Sequence, residues 1–157
     1  MISQTVRFVR CVGSTLVLVV MIGCASQTTS EPPKSAKSAD RAVAIALQQV
    51  GVPYRYGGST PSGFDCSGLV YYSYSRVGQA LPRTTASLWS GLQPVSKQDI
   101  RTGDVLFFRI SGKMSHVGLY LGNDQFVHAP SSGKVVTVGS LRSGYYSNAL
   151  VRAGRPN

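Results

Sequence analysis

The stretch FDCSGLV, residues 64–70, decides how the rest of this chain is read. Asp65 stands where a helix N-cap belongs. Behind it Val70, Tyr74 and Val77 recur at i, i+4 and i+7, with Leu69 widening the stripe. The pattern predicts a helix that starts at Cys66 and ends before Gly78. A cysteine in the first turn of a helix faces unpaired backbone N–H groups and the positive end of the helix dipole. Both favour thiolate over thiol and lower the pKa. The same N–H groups can donate to the oxyanion formed when a thiolate attacks a carbonyl. Gly68 keeps this turn open to a close approach by substrate. The plain alternative is a buried structural cysteine.

Upstream, VPYRYGGSTPSGFD (52–65) is dense in Gly and Pro and reads as loop. Before it, Ser38 or Asp40 caps a predicted helix running to about Val50, with Val43, Leu47 and Val50 on one face and Gly51 as the stop. Downstream, a short third helix follows Thr84 or Thr85 through Leu88 and Trp89. After Pro94 the pattern changes. VLFFRI (105–110), HVGLYL (116–121), QFVHA (125–129), KVVTV (134–138) and ALVRA (149–153) are short, β-rich and separated by turn residues. Helices first and strands afterwards predict an α+β domain, with N-terminal helices packed on an antiparallel β-sheet.

The chain has two histidines, His116 at the start of one predicted strand and His128 near the end of the next. A hairpin with a plain two-residue turn points them to opposite faces. A three-residue loop over Gly122–Asp124, or a bulge, puts them on one face, two residues apart diagonally. Together with Cys66 they form a thiol–imidazole constellation. His116 takes the thiol proton as base, and His128 holds His116 in its working tautomer. The alternative for either histidine is an ordinary polar strand residue. A metal site of two His and one Cys is the other sharp reading. Its ligands lack the close-pair spacing of CxxC or HExxH, so no metal and no cofactor is expected.

The N-terminus reads as an address. Arg7 and Arg10 precede an apolar run from Val12 through Ile22, too short to span a bilayer comfortably but fitting the core of a signal peptide. The run ends in Met21-Ile22-Gly23-Cys24, which resembles a bacterial lipobox, with Cys24 as the lipidated residue. The alternative is a transmembrane anchor or a buried helix. Ala25 follows where an Asp resembles an inner-membrane retention signal, so the outer membrane, facing the periplasm, is the expected location. The sequence ASQTTSEPPKSAKSA after it reads as a flexible tether. The expected organisation is therefore a signal peptide over 1–23, a lipidated tether over 24–39 and one catalytic domain over 40–157. Cys11 leaves with the signal peptide and Cys24 carries lipid, so Cys66 remains as the one thiol, with no partner for an internal disulfide.

Sixteen Lys and Arg against six Asp and Glu give a formal charge of +10 in 157 residues. The cations are scattered, among them Arg41, Arg76, Lys97, Arg109, Lys134 and Arg152, with no basic block and no nucleic-acid motif. The balance suits an anionic partner such as nucleic acid, a membrane surface or an acidic polymer, and the scatter without a motif favours the acidic polymer or lipid surface over nucleic acid.

With PYRYGG (53–58), FDCSGLV (64–70), LPRTT (81–85), RTGDVLFF (101–108), SHVGLYLG (115–122) and FVHAP (126–130) in this order, the chain resembles the NlpC/P60 family of cell-wall cysteine peptidases over about residues 40–153. The resemblance implies a circularly permuted papain-like fold. It also implies Cys66 as nucleophile, His116 as base and His128 as the third, orienting residue. By the same resemblance Tyr54 lies beside the nucleophile and helps bind oxyanion or substrate, against the alternative of core packing. Asp65 and Ser67 line the pocket for a peptidoglycan stem peptide, and Asp65 can serve as a helix cap as well. Arg83 sits where it can meet a substrate carboxylate, against the alternative of a surface arginine. The implied reaction is hydrolysis of a stem or cross-bridge peptide bond through a thioester, either D-glutamate to diamino acid or the D-alanyl cross-link. Two readings compete: a non-catalytic wall-binding lipoprotein, and a thiol acyltransferase on the same fold. A monomer held to the membrane through Cys24 is expected.

Overall fold

The computed structural model describes residues 34–157. The signal segment, Cys24 and tether residues 25–33 lie outside the described residues. Helix α1 spans Lys34–Leu47, starting ahead of the expected caps at Ser38 and Asp40 and taking in the end of the predicted tether. Ala at 36, 39, 42, 44 and 46 explains the earlier start, since alanine has the strongest helix preference. The buried stripe also differs from the one expected. Ala42, Val43 and Ala46 are covered, whereas Leu47 and Val50 stay 39% and 49% exposed. Small alanines let α1 approach the neighbouring backbone closely: a β-carbon added at Gly103 would lie 2.5 Å from the Ala39 side chain.

A two-stranded ribbon follows, β1 (Ser59–Thr60) and β2 (Gly63–Phe64), inside the stretch expected to be loop throughout. Helix α2 runs over Cys66–Ser75, as predicted, with Leu69, Val70 and Tyr74 buried. The Tyr74 hydroxyl donates to the Gly103 carbonyl at 2.6 Å. Helix α3 (Thr85–Gly91) is capped by Thr84, whose side chain accepts from the Ser87 N–H.

Strands β3 (Gln93–Val95), β4 (Val105–Ile110), β5 (Lys113–Gly122), β6 (Gln125–His128), β7 (Thr137–Ser140) and β8 (Leu150–Arg155) form one antiparallel sheet in the order β3-β8-β4-β5-β6-β7. Strand β4 sits inside it and is buried on both faces. Val105 and Phe107 join the core against α1, α2 and α3, while Leu106 and Phe108 join a second core with Phe126 and Leu150. Helix α4 (Gly144–Ala149), which no periodicity announced, covers that second core through Tyr146. The fold is α+β with helices on an antiparallel sheet, as expected. The predicted strand 134–138 is divided. Lys134 and Val136 bond to Gly51, Val52 and Tyr54, and pairing with β6 begins only at Thr137.

Two irregularities in β5 bear on the site. Leu119 and Tyr120 pair with Val127 and Phe126, but Gly122 pairs with Gln125, so Leu121 is an extra residue. The turn itself has two residues, Asn123 and Asp124, both at positive φ. The hairpin therefore adopts the bulged arrangement, and that bulge puts His116 and His128 on one face. At the other end Phe108 pairs with His116 and Arg109 with Met114, which leaves Ser115 unpaired as a second bulge.

Candidate active site

Asp65 organises the start of α2. Its Oδ1 accepts the Gly68 N–H at 2.6 Å, the Ser67 hydroxyl at 3.2 Å and Arg83 Nη1 at 2.9 Å. Its Oδ2 accepts the Gly57 N–H at 3.0 Å and Arg83 Nη2 at 2.9 Å. Burial works to raise the carboxyl pKa, but the Arg83 hydrogen bonds, the Gly68 N–H and the guanidinium charge outweigh it and hold Asp65 below the usual range. Asp65 is thus both cap and ion-pair partner. Arg83 is occupied as well, since its guanidinium also donates to Ser67 Oγ at 3.1 Å and to the Gly58 carbonyl at 3.0 Å. It lines the cleft with its guanidinium paired to Asp65. Gly68 has a different role from the expected one. A β-carbon there would lie 1.9 Å from the Gly58 carbonyl oxygen, so the bare glycine lets the 53–58 loop rest on the helix.

This framework presents Cys66 to a cleft of about 420 Å³ that it shares with Tyr54, Tyr56, Ser67, Arg83 and Thr85. Cys66 is the one free cysteine among the described residues. Its Sγ lies 3.8 Å from the Thr85 hydroxyl and 3.9 Å from the carbonyl of the bulged Ser115. Burial pushes the thiol pKa up. The Val117 N–H, the Thr85 hydroxyl and the Ser67 N–H pull it down, and the Asp65 carboxylate adds to the rise. The net direction is upward, opposite to the sequence expectation, because desolvation exceeds what the helix terminus returns. Tyr54 lines the same cleft as the thiol. Its pKa is raised, first by burial and then by the neighbouring Cys66 and Asp65, so the phenol keeps its proton and can donate it in a hydrogen bond.

His116 and His128 meet directly. His116 Nε2 lies 2.7 Å from His128 Nδ1, with ring centroids 5.0 Å apart and planes at 73°. The two residues are 7% and 2% exposed. Phe108 packs at 5.8 Å from His116, and Phe126 and Tyr146 at 4.8 Å and 5.3 Å from His128. Burial lowers His116 to about 4. Burial, then the charges of His116 and Lys134, lower His128 to about 3. Both imidazoles are neutral at pH 7. Among the described residues no hydrogen bond joins Sγ to the His116 ring. No group of three or more His, Cys, Asp or Glu among them is arranged to hold a metal ion.

The structure thus brings Tyr54, Asp65, Cys66, Ser67 and Arg83 to one cleft, and pairs His116 of β5, next to the Ser115 that lines the cleft, with His128 of β6. Cys24 lies outside the described residues. Sequence reasoning missed Thr85 and Ser115 at the sulfur and Tyr146 against His128. Thr85 and Ser115 sat in quoted motifs as ordinary polar residues, and Tyr146 carried no local signal.

The sequence profile of the NlpC/P60 family matches residues 51–155. Murein DD-endopeptidase MepH of Escherichia coli (strain K12) is 40% identical over 115 residues, which cover 69% of this chain and 42% of that protein. Murein DD-endopeptidase MepS/murein LD-carboxypeptidase of the same organism is 42% identical over 106 residues, covering 67% of this chain and 56% of its own. The bifunctional muramidase/DL-endopeptidase CwlT of Bacillus subtilis (strain 168) is 40% identical over 114 residues, covering 70% and 34%. The matched stretch thus spans about a third to just over half of these relatives. In three dimensions the NlpC/p60 domain of peptidoglycan hydrolase SagA is similar at a TM-score of 0.65 and 37% identity, over 74% of this chain and 97% of that one.

Proposed function

Because this chain belongs to the NlpC/P60 family, we propose that it is a cysteine peptidase that hydrolyses peptide bonds in peptidoglycan. The observation that carries the reading is the buried His116–His128 pair at 2.7 Å across β5 and β6, with the bulged Ser115 of β5 touching Cys66. His116 Nε2 is engaged by His128 Nδ1, so His116 Nδ1 is the ring atom left to serve the thiol. For Nδ1 to accept a proton, Nε2 must carry one and donate it to His128 Nδ1; His128 is then protonated on Nε2. Attack forms a bond from Sγ to the scissile carbonyl carbon as the thiol proton passes to His116. The C–N bond then breaks, and His116 returns that proton to the leaving amine. Water hydrolyses the thioester by the same relay. The Ser67 N–H, close enough to bond the sulfur, and the Tyr54 hydroxyl are the donors suited to the oxyanion.

The relatives named above support peptidoglycan as the substrate, and the bonds proposed are the D-glutamyl–diamino acid bond or the D-alanyl cross-link. The proposed state is a monomer tethered through lipidated Cys24 to the outer membrane, facing the periplasm. The test is a digest of purified sacculi with the full chain beside its Cys66→Ala variant, read by muropeptide chromatography and mass spectrometry. Conversion of cross-linked dimers to monomers by wild type alone identifies cross-bridge cleavage. Shortening of stems to dipeptides identifies the D-glutamyl bond. No change with wild type under reducing conditions overturns hydrolysis in favour of wall binding or acyl transfer.

A further inference from the structure

A second cavity, of about 490 Å³, adjoins the Cys66 cleft, and Ser115 lines both. The two meet at Ser115, whose carbonyl contacts Cys66 Sγ, where the halves of a groove receiving the two sides of a scissile bond would meet. They differ in what they hold. The first half contains the Asp65–Arg83 ion pair, with charges matched. The second is lined by Ser131, Lys134, Tyr145, Tyr146 and His116 among others, and Lys134 is the one cation in its lining, with no acid there. No ion pair holds Lys134 among the described residues. The loop that carries it is fixed: the Lys134 carbonyl accepts the Tyr54 N–H at 2.8 Å, and its N–H donates to the Ser131 carbonyl at 3.2 Å. Tyr145, 63% exposed, adds a hydroxyl donor at the rim.

Direction follows from the chemistry. The imidazole that protonates the leaving amine must reach its nitrogen, and His116 lines the second cavity, so the leaving group occupies that half. We infer that this cavity is the leaving-group subsite, and that Lys134 selects a leaving residue bearing a free carboxylate. The inference rests on the hydrolase reading above and deepens it. In either candidate bond the amine that leaves belongs to a stem diamino acid, so the site favours a diamino acid with a free carboxylate over its amidated form. Charge reach supports the placement, because Lys134 is near enough for its charge to act on His128. A bound carboxylate would offset that charge beside the histidine pair.

The experiment compares two synthetic stem peptides, identical except that the diamino-acid carboxylate is free or amidated. Their kcat/KM values are measured with the full chain and its Lys134→Ala, Lys134→Arg and Lys134→Glu variants. Wild type is expected to prefer the carboxylate about fivefold, the scale of one partly exposed ion pair. Lys134→Ala removes the preference through KM, Lys134→Arg keeps it and Lys134→Glu reverses it. Binding of both peptides to Cys66→Ala, measured by calorimetry, separates the two ideas. If wild type cuts neither peptide but Cys66→Ala still prefers the carboxylate through Lys134, the subsite stands and the hydrolase reading falls. An equal preference in wild type and Lys134→Ala, or equal loss on both peptides, overturns the subsite.

Discussion

Cys66 and His116 rest as neutral thiol and neutral imidazole, because burial disfavours the charged form of each. A preformed thiolate–imidazolium pair is therefore not the resting state, and proton transfer accompanies attack. His116 stays a base far below the ordinary histidine pKa of 6.5, down to about 4. The expected kcat/KM profile has its acid limb below pH 5. A limb centred near 6.5 would mean that the imidazole titrates as if solvated and would contradict the buried pair. The same depression acts on stability. The folded pKa lies below the unfolded one, so the histidine contribution is complete above pH 6.5 and is lost as pH falls towards 4. Full titration of His116 costs on the order of 3 kcal/mol, measurable as a falling urea midpoint between pH 7 and pH 4. The residue types of the site were legible because cysteine and histidine are few and each stands in a clear local pattern. Their charge states were not, because desolvation depends on Phe108, Phe126 and Tyr146, which come from separate elements.

Helix α2 and its cap form the element on which the site depends. Asp65 was readable as an N-cap from its place before an apolar stripe, and that local signal held. Its second role arises from Arg83, eighteen residues on, whose side chain crosses to both carboxylate oxygens. Asp65→Asn keeps a cap for the Gly68 N–H but loses the charge pair, and is expected to cost about 1 kcal/mol, since Arg83 is 32% exposed. Asp65→Ala loses both and is expected to cost about 2–3 kcal/mol. Urea denaturation at pH 7 reads the difference. Equal losses would show that the cap contributes little and the ion pair nearly all. The β5–β6 hairpin teaches the opposite lesson. Periodicity showed two strands and required an odd loop or a bulge to bring the histidines together. It could not choose between them, because a single extra residue, Leu121, has the same composition signature in either arrangement.

At the scale of the molecule, a strongly basic domain is proposed to work on an acidic surface to which its own N-terminus holds it. Cys24→Ser is expected to abolish fatty-acid labelling and to move the protein from the membrane to the soluble fraction, leaving hydrolysis of detergent-free muropeptides in place. Persistent labelling would place the lipid elsewhere, and persistent membrane association without label would point to a transmembrane anchor. The α+β order, α2 and its cap, and the central strands followed from the sequence alone, since capping, 3.6-residue spacing and β-branched runs are properties of neighbouring residues. Helix α4 and the short strands β1, β2 and β3 did not, because pieces of two to six residues are stabilised by what they pack on rather than by their own pattern. Closure of Arg83 on Asp65, the bulges at Ser115 and Leu121, and the cavity that places Lys134 beside His116 were decided by tertiary structure alone. The ion pair and the cavity join residues distant in the chain, the bulges are set by cross-strand register, and neither burial nor register leaves a trace in the local sequence.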